Sequence, residues 1–307
     1  MSSLAFLGRR WRCEVGGDSA GSTAPDAIVP SAASAAGEAG LRPAGADGGQ
    51  GREVKILFVA DVFGTAGRRA VEERLRSLRA ELGANFCILN GENVADGAGI
   101  TPKLADKLLA AGADVITLGN HVWRRDGMGA YLEKSERVIR PANLSRHAPG
   151  RGLTIVDGVA VINVLGSLFL APHINPFEEI DAIVAEARAK TQMIVVHFHA
   201  EATSEKVAMA RWLDGRVTAV IGTHTHVQTN DARVQPGGTA ALTDAGMTGP
   251  HDSVIGVEAD LAIRRMRTGM PVRFYPAEGG FRIEGALVEC SEDGRAISIE
   301  TVRVPFP

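Results

Sequence analysis

Cysteine is scarce, long apolar runs are missing, and positive charge never gathers into a stripe; each shortage removes a class of explanation. The three cysteines, Cys13, Cys87 and Cys290, are odd in number and widely scattered. They form no disulfide framework and no cysteine-rich structural metal site, and they read as reduced thiols of a cytoplasmic protein. No uninterrupted apolar stretch approaches the roughly 18 residues of a membrane span. Arg9-Arg10 lacks the apolar core that an export signal would place after it. Net charge is −3 with both signs mixed along the chain, which excludes duplex nucleic acid as an extended partner and leaves room for a small phosphorylated ligand.

From Gly16 to Gly51 the chain is mostly Ala, Gly, Ser, Pro and Asp, too poor in large apolar side chains to offset the entropy of ordering. Residues 1–52 are therefore expected to be a disordered tail, and residues 53–307 a single folded domain. From Val54 the pattern alternates. Lys55–Ala60 reads as a strand buried on both faces, Gly67–Leu82 as a helix with Val71, Leu75, Leu78 and Leu82 on one stripe, and Phe86–Leu89 as a second strand. Thr101-Pro102 starts another helix, and Val115–Leu118 is a third strand. Such alternation predicts parallel strands joined by right-handed crossovers.

The second half is less regular. Asp157-Gly158 marks a hairpin between Leu153–Val156 and Val159–Leu165. Helices are predicted at Pro176–Lys190, Ser204–Leu213 and Glu258–Arg267, and buried strands at Met193–Phe198 and Ala219–Ile221. Val272–Tyr275, Phe281–Glu289 and Ile297–Val304 alternate like antiparallel strands. The whole describes an α/β protein of two packed sheets with helices outside.

Polar clusters stand where the apolar strands stop: Asp61, Gly91-Glu92-Asn93, Gly119-Asn120-His121, His197-Phe198-His199 and Gly222-Thr223-His224-Thr225-His226. One such cluster is ordinary turn chemistry; a recurrence at successive strand ends gathers carboxylates, amides and imidazoles at one edge, where open α/β sheets bind ligands. His197 and His199 share a strand face, and His224 and His226 repeat the spacing at what should be a strand end or extended loop. That donor set suits two divalent ions, with imidazole favouring Fe, Mn or Zn over Mg. A water between such ions ionises near neutral pH and can attack phosphorus, and His121 is the natural proton donor to the leaving alkoxide. His147, His173 and His251 have no such company and read as loop residues.

These segments resemble the calcineurin-like metallophosphoesterases, and most closely their YmdB-type subfamily. The resemblance runs through Asp61-Val-Phe-Gly, Asn90-Gly-Glu-Asn93, Gly119-Asn-His121, Phe198-His-Ala-Glu-Ala-Thr-Ser-Glu-Lys206, Gly222-Thr-His-Thr-His-Val-Gln-Thr229 and Thr243-Asp-Ala-Gly-Met-Thr-Gly-Pro250. It spans Val54 to Val304. It implies the metallophosphoesterase fold, a four-layer α/β-β/α sandwich of two mixed sheets with outer helices. It further implies two metal ions per chain, iron or manganese, with Asp61, Glu92, Asn93 and His226 around the first and Glu92, Asn120, His199 and His224 around the second. Phe63 and Glu92 depart from the broad superfamily, where histidine and aspartate stand, and both departures belong to the YmdB-type pattern. The expected activity is hydrolysis of 2′,3′-cyclic nucleotides with His121 as proton donor. A phosphomonoesterase, or a regulator that binds metal and nucleotide without turnover, is the alternative. His197 is left spare, read as a polar strand end more readily than as a group that orients a ligand. Arg140 and Asn143 are candidates to touch phosphate or base. Glycine-rich loops and sheet edges leave a homo-oligomer open without specifying its interface.

The tail has no counterpart in the resemblance; a true start near Val54, with the upstream stretch a gene-calling artefact or a dispensable tail, is the plainer reading. Intact-mass measurement on the native protein should then give a chain beginning near that residue; a mass that includes residues 1–52 rejects this start.

Overall fold

The computed structural model describes residues 53–307; the tail expected at 1–52 lies outside the described residues. The first half alternates as the sequence predicts: β1 (Val54–Val59), α1 (Gly64–Leu82), β2 (Phe86–Asn90), α2 (Pro102–Ala111), β3 (Val115–Thr117), α3 (Met128–Lys134) and β4 (Val138–Ile139). A hairpin of β5 (Leu153–Val156) and β6 (Val159–Leu165) turns at Asp157-Gly158, with φ of 48° and 81°, the left-handed pair that a tight type I′ turn requires. Then come α4 (Pro176–Arg188), β7 (Met193–His199), α5 (Thr203–Trp212), β8 (Ala219–Thr223), β9 (Arg233–Val234), β10 (Ala240–Leu242) and β11 (Gly249–Pro250). The chain ends with α6 (Ala259–Thr268), β12 (Phe281–Cys290) and β13 (Ala296–Pro305).

Two mixed sheets result. One runs β11-β12-β1-β2-β3-β4, with β13 on the other edge of β12; its β1–β4 are parallel and β12 is antiparallel to β1. The other runs β5-β6-β7-β8-β10-β9, parallel from β6 through β10. Side-chain parity sorts the layers. Ile56 and Phe58 of β1 and Ile88 of β2 share a buried core with Val161, Val195 and Ile221 of the second sheet, so the sheets pack face to face. The alternate residues Leu57, Val59 and Leu89 pack on Val71, Leu75 and Leu78 of α1 and Leu108 of α2. On the far side, Ile162, Val164 and Val196 pack on Ile180 and Val184 of α4 and Met209 of α5. Helix, sheet, sheet, helix is the four-layer sandwich expected.

Local signals explain the helix ends. The Thr101 hydroxyl accepts the Leu104 amide at 3.3 Å with Pro102 at the first helical position, and α1 closes on Gly83, whose φ of 64° suits glycine. Helix α1 starts three residues earlier than the hydrophobic stripe predicts, so Gly67 lies inside it. There the absence of a side chain lets the helix lie against the Thr248 carbonyl, into which a Cβ would project. Val272–Tyr275 is not a strand. Pro271 and Pro276 bracket it without N–H groups for a ladder, and its link to the neighbouring loop is an isolated bridge at Pro276.

Phe58 is 1% exposed at the centre of the intersheet core. Replacing it with alanine is expected to cost about 3–5 kcal/mol of unfolding free energy. Urea denaturation measures this, and a loss below about 1 kcal/mol would contradict the intersheet placement.

Candidate active site

Face-to-face packing brings the carboxyl ends of parallel strands from both sheets to one edge. Asp61 follows β1, Glu92 and Asn93 follow β2, Asn120 and His121 follow β3, His199 ends β7, and His224 and His226 follow β8. All eight predicted residues meet there. The focus is Nε2 of His199. Glu92 Oε1, Asn120 Oδ1 and His224 Nδ1 each stand 3.0 Å from it. One imidazole nitrogen carries at most one hydrogen and cannot serve three such neighbours, whereas a cation accepts lone pairs from all of them. Glu92, His199 and His224 present donor atoms that all lie within 4.8 Å of one another. Gly119 makes the approach possible: a Cβ there would run into the Glu92 carboxylate and stand 2.6 Å from the His199 ring.

Asp61, Asn93 and His226 form the adjoining group. Asp61 Oδ2 is 3.4 Å from His226 Nε2 and also accepts the His224 amide at 3.2 Å. Its Oδ1 accepts Asn90 Nδ2 at 2.6 Å, and Asn90 Oδ1 accepts the Glu92 amide at 2.9 Å, so one asparagine spaces the two carboxylates. Asn93 Oδ1 is buried with no hydrogen-bond partner among the described residues, an acceptor that a cation would satisfy. His121 Nδ1 lies 3.6 Å from Glu92 Oε1, and its ring lines a cavity of about 470 Å³ that opens beside the cluster.

The His224-Thr225-His226 segment departs from the extended form expected of it: φ is 101° at His224 and 62° at His226. Hydrogen bonds hold it so. Asp61 takes the His224 amide, while Asp244 Oδ2 accepts the Thr225 amide at 3.1 Å and its hydroxyl at 2.7 Å. Buried Lys206 pairs with that same oxygen at 2.8 Å. Lys206 and Asp244 thereby fix the two histidines from behind, a purpose that spacing alone did not disclose. Sequence reasoning also missed Glu201, whose Oε2 lies 3.1 Å from His224 Nε2 and orients that ring from its outer nitrogen.

Electrostatics follow from burial. Burial raises Asp61 to about 6, against the pull of His199 and His226. Burial also pushes Glu92 upward, but the charge and hydrogen bond of His199, with His121 beside it, overcome this and hold Glu92 at about 2. The same carboxylates lift His199 above the ordinary histidine value in spite of its burial. His224 goes the other way, pushed to about 3 by burial and by the charge of His199, so it stays neutral as a metal ligand must.

His197 has more of a role than a polar strand end. It is fully buried, with its Nε2 2.7 Å from Thr223 Oγ1, and the same hydroxyl is 2.8 Å from His199 Nδ1. With His197 held neutral by burial, one proton order leaves His199 Nε2 free to ligate: His199 Nδ1 donates to Thr223, and the hydroxyl donates to His197. Arg140 and Asn143 do not reach the site. The Arg140 guanidinium donates to the carbonyls of Pro141 at 2.8 Å and of Ala148 and Pro149 at 3.0 Å. The Asn143 amide braces Leu165 and Ile174. A larger cavity of about 890 Å³ near Arg140 is lined by none of the eight site residues.

Two mixed sheets face to face between helices, with this donor set at the strand ends, define a phosphoric-ester hydrolase of the metallophosphoesterase type. The chain belongs to the YmdB-like protein family, which matches residues 57–302. It is 43% identical over 256 residues to the 2′,3′-cyclic-nucleotide 2′-phosphodiesterase of Bacillus subtilis (strain 168), covering 82% of this chain and 97% of that protein. Among solved structures, a hypothetical protein from Thermus thermophilus superposes with a TM-score of 0.77 at 40% identity, over 83% of this chain and 100% of that one. A protein from Mycoplasma pneumoniae described as a novel phosphatase gives 0.78 at 32% identity, over 83% of this chain and 95% of that one.

Gly119→Ala is expected to destabilise the fold by about 1–3 kcal/mol, because the methyl overpacks two buried side chains, and to weaken manganese binding about 10- to 100-fold by separating Glu92 from His199. Calorimetric titration checks this; a variant that binds manganese like the wild type would contradict the convergence on His199.

Proposed function

We propose that this chain is a phosphodiesterase that opens 2′,3′-cyclic nucleotides with two divalent ions, iron or manganese. The observation that carries the proposal is the crowding of three donor atoms, each 3.0 Å from His199 Nε2. The Bacillus subtilis relative, named for action on 2′,3′-cyclic nucleotides, supports the substrate class. Asp61, Glu92, Asn93 and His226 would hold one ion, and Glu92, Asn120, His199 and His224 the other, with the Glu92 carboxylate shared. When bound, the ions supply positive charge against the phosphodiester and make water a nucleophile near neutral pH. The residues of the chain do the rest. Glu92 and Asp61 set the charge of the site, His197 and Thr223 orient His199, and Glu201 orients His224. Water adds to phosphorus, one P–O bond of the cyclic ester breaks, and the leaving alkoxide takes its proton from His121 at the cavity wall. Buried free thiols at Cys87 and Cys290 are in keeping with a cytoplasmic setting. No helix of the described residues is long and apolar enough to cross a membrane.

Anaerobically purified protein should hydrolyse 2′,3′-cyclic AMP and carry about two metal ions per chain, the stoichiometry of a two-metal site. His121→Ala should lower kcat by roughly 10²–10⁴ with metal content unchanged, as loss of a general acid does. Asn120→Ala should lose metal and turnover together. A nucleoside monophosphate is run alongside because the Mycoplasma pneumoniae relative is described as a phosphatase. Preference for the monoester would transfer the assignment to phosphomonoester hydrolysis, full metal occupancy without turnover of either would favour a binding role, and absence of metal would reject the site.

A further inference from the structure

The cavity beside the cluster is chemically mixed. It is lined by Glu92, Asn93, His121, His224 and His226 of the cluster and by the apolar side chains Phe63, Ile255, Val257, Phe274, Tyr275 and Pro276, with Asp96 and Glu201 also at its edge. Three of these apolar residues are exposed to a degree unusual for their type: Ile255 is 53% exposed, Tyr275 46% and Phe274 36%. Aromatics are only 5% of the chain, and one of its two tyrosines stands here.

Ile255 is also held in a conformation that β-branched residues avoid, with φ of 47°, followed by Gly256 at 102°. The turn is clamped on several sides. Val254 and Val257 exchange backbone hydrogen bonds at 2.9 and 3.2 Å, and the Gly256 amide donates to Ser253 Oγ at 2.9 Å. A Cβ at Gly256 would stand 2.8 Å from the Phe63 ring, so glycine is needed there. The Ile255 carbonyl lies 3.0 Å from His226 Nδ1, which places a strained backbone directly behind a residue of the cluster. Opposite, the irregular segment before Pro276 is pinned by the Glu258 amide on the Tyr275 carbonyl at 3.0 Å. Guanidiniums stack on its rings, Arg265 over Phe274 and Arg273 over Tyr275, each at 5.2 Å. Rings held this way on a pinned backbone line the cavity and stay partly exposed.

We propose that this wall, chiefly Tyr275 and Phe274 with Ile255, receives the nucleobase of the substrate by stacking, with little choice among bases. The proposal rests on the phosphodiesterase reading for the cluster. A phosphoester whose phosphorus sits at the cluster must project its remaining substituent into this cavity, whose 470 Å³ lies within the range of small-ligand sites. Every base offers a π face, so an apolar aromatic wall binds bases without reading their edges. Ile255 joins the cluster to this wall, since its side chain lines the cavity and its carbonyl positions His226.

The test compares 2′,3′-cyclic AMP with glycerol 1,2-cyclic phosphate, a cyclic diester without a base, in metal-loaded wild type, Tyr275→Ala, Phe274→Ala and Tyr275→Phe. Binding of 3′-AMP by calorimetry is measured on the same proteins. Tyr275→Ala is expected to raise KM for cyclic AMP about tenfold with kcat within about twofold, the scale of one base–aromatic stack. The preference for cyclic AMP over the baseless ester should shrink by the same factor, 3′-AMP affinity should fall in parallel, and Tyr275→Phe should restore all three. Equal kcat/KM for the two esters in the wild type would overturn the proposal, as would unchanged KM and 3′-AMP affinity in both alanine variants. If neither ester is hydrolysed, the catalytic reading fails by itself. The 3′-AMP titration then decides for the wall: weaker binding in Tyr275→Ala supports it, and equal binding rejects it.

Discussion

Two carboxylates, Asp61 and Glu92, are buried at the meeting point of two sheets, and the rest of that edge answers to their charge. An unpaired buried carboxylate is among the costliest groups a fold can contain. Here the cost is offset by imidazoles and amide donors delivered from other strand ends. Asn90 donates to the Asp61 carboxylate and accepts the Glu92 backbone amide, His199 lies 3.0 Å from Glu92 with its pKa raised by both carboxylates, and His224 donates its backbone amide to Asp61. A site that already draws in positive charge is one that a divalent cation completes.

The surrounding structure keeps those groups from relaxing. The Lys206–Asp244 pair is buried, and its shared oxygen holds Thr225 between the two histidines of the last motif. Breaking one partner of such a pair leaves a buried charge, so the loop has little freedom to drift. Glycines act at the same level: Gly119 lets Glu92 approach His199, and Gly67 lets α1 approach the Thr248 carbonyl. The intersheet core behind them, with Phe58 5.2 Å from the ring of His197, connects packing to ligand geometry through Thr223. Stability and chemistry therefore share residues at this edge.

Relatives place the chain among phosphoric-ester hydrolases, while the cavity wall bears on which esters fit. The cavity joins the polar groups of the cluster to the aromatic and apolar side chains of Phe274, Tyr275 and Ile255. The strained turn at Ile255 ties the two, because the residue that faces the wall also positions His226 through its carbonyl.

Much of this was legible in the sequence because it depends on local patterning. Apolar runs ending in Asp61, Glu92, Asn120 and His199 announce parallel strands with polar groups at their carboxyl ends and helices outside them, while the four-layer order followed from the resemblance to the metallophosphoesterases. What depends on contacts distant in the chain was not legible. His197 and His199 share a face and cannot be ranked by spacing; only Thr223, brought alongside from the next strand, links the two rings through one hydroxyl. The left-handed backbone at His224 and His226 is held by Asp61 and Asp244, 163 and 19 residues away in sequence from the amides they accept. Arg140 looks like a phosphate ligand until the loop carbonyls that consume its guanidinium are in place. Val272–Tyr275 carries strand-forming residues, yet its flanking prolines and a one-bridge contact leave it irregular and turn its aromatic rings toward the cavity. Sequence determined which groups stand at the strand ends, because periodicity is local; tertiary structure alone decided which atoms converge, because convergence requires two sheets to meet.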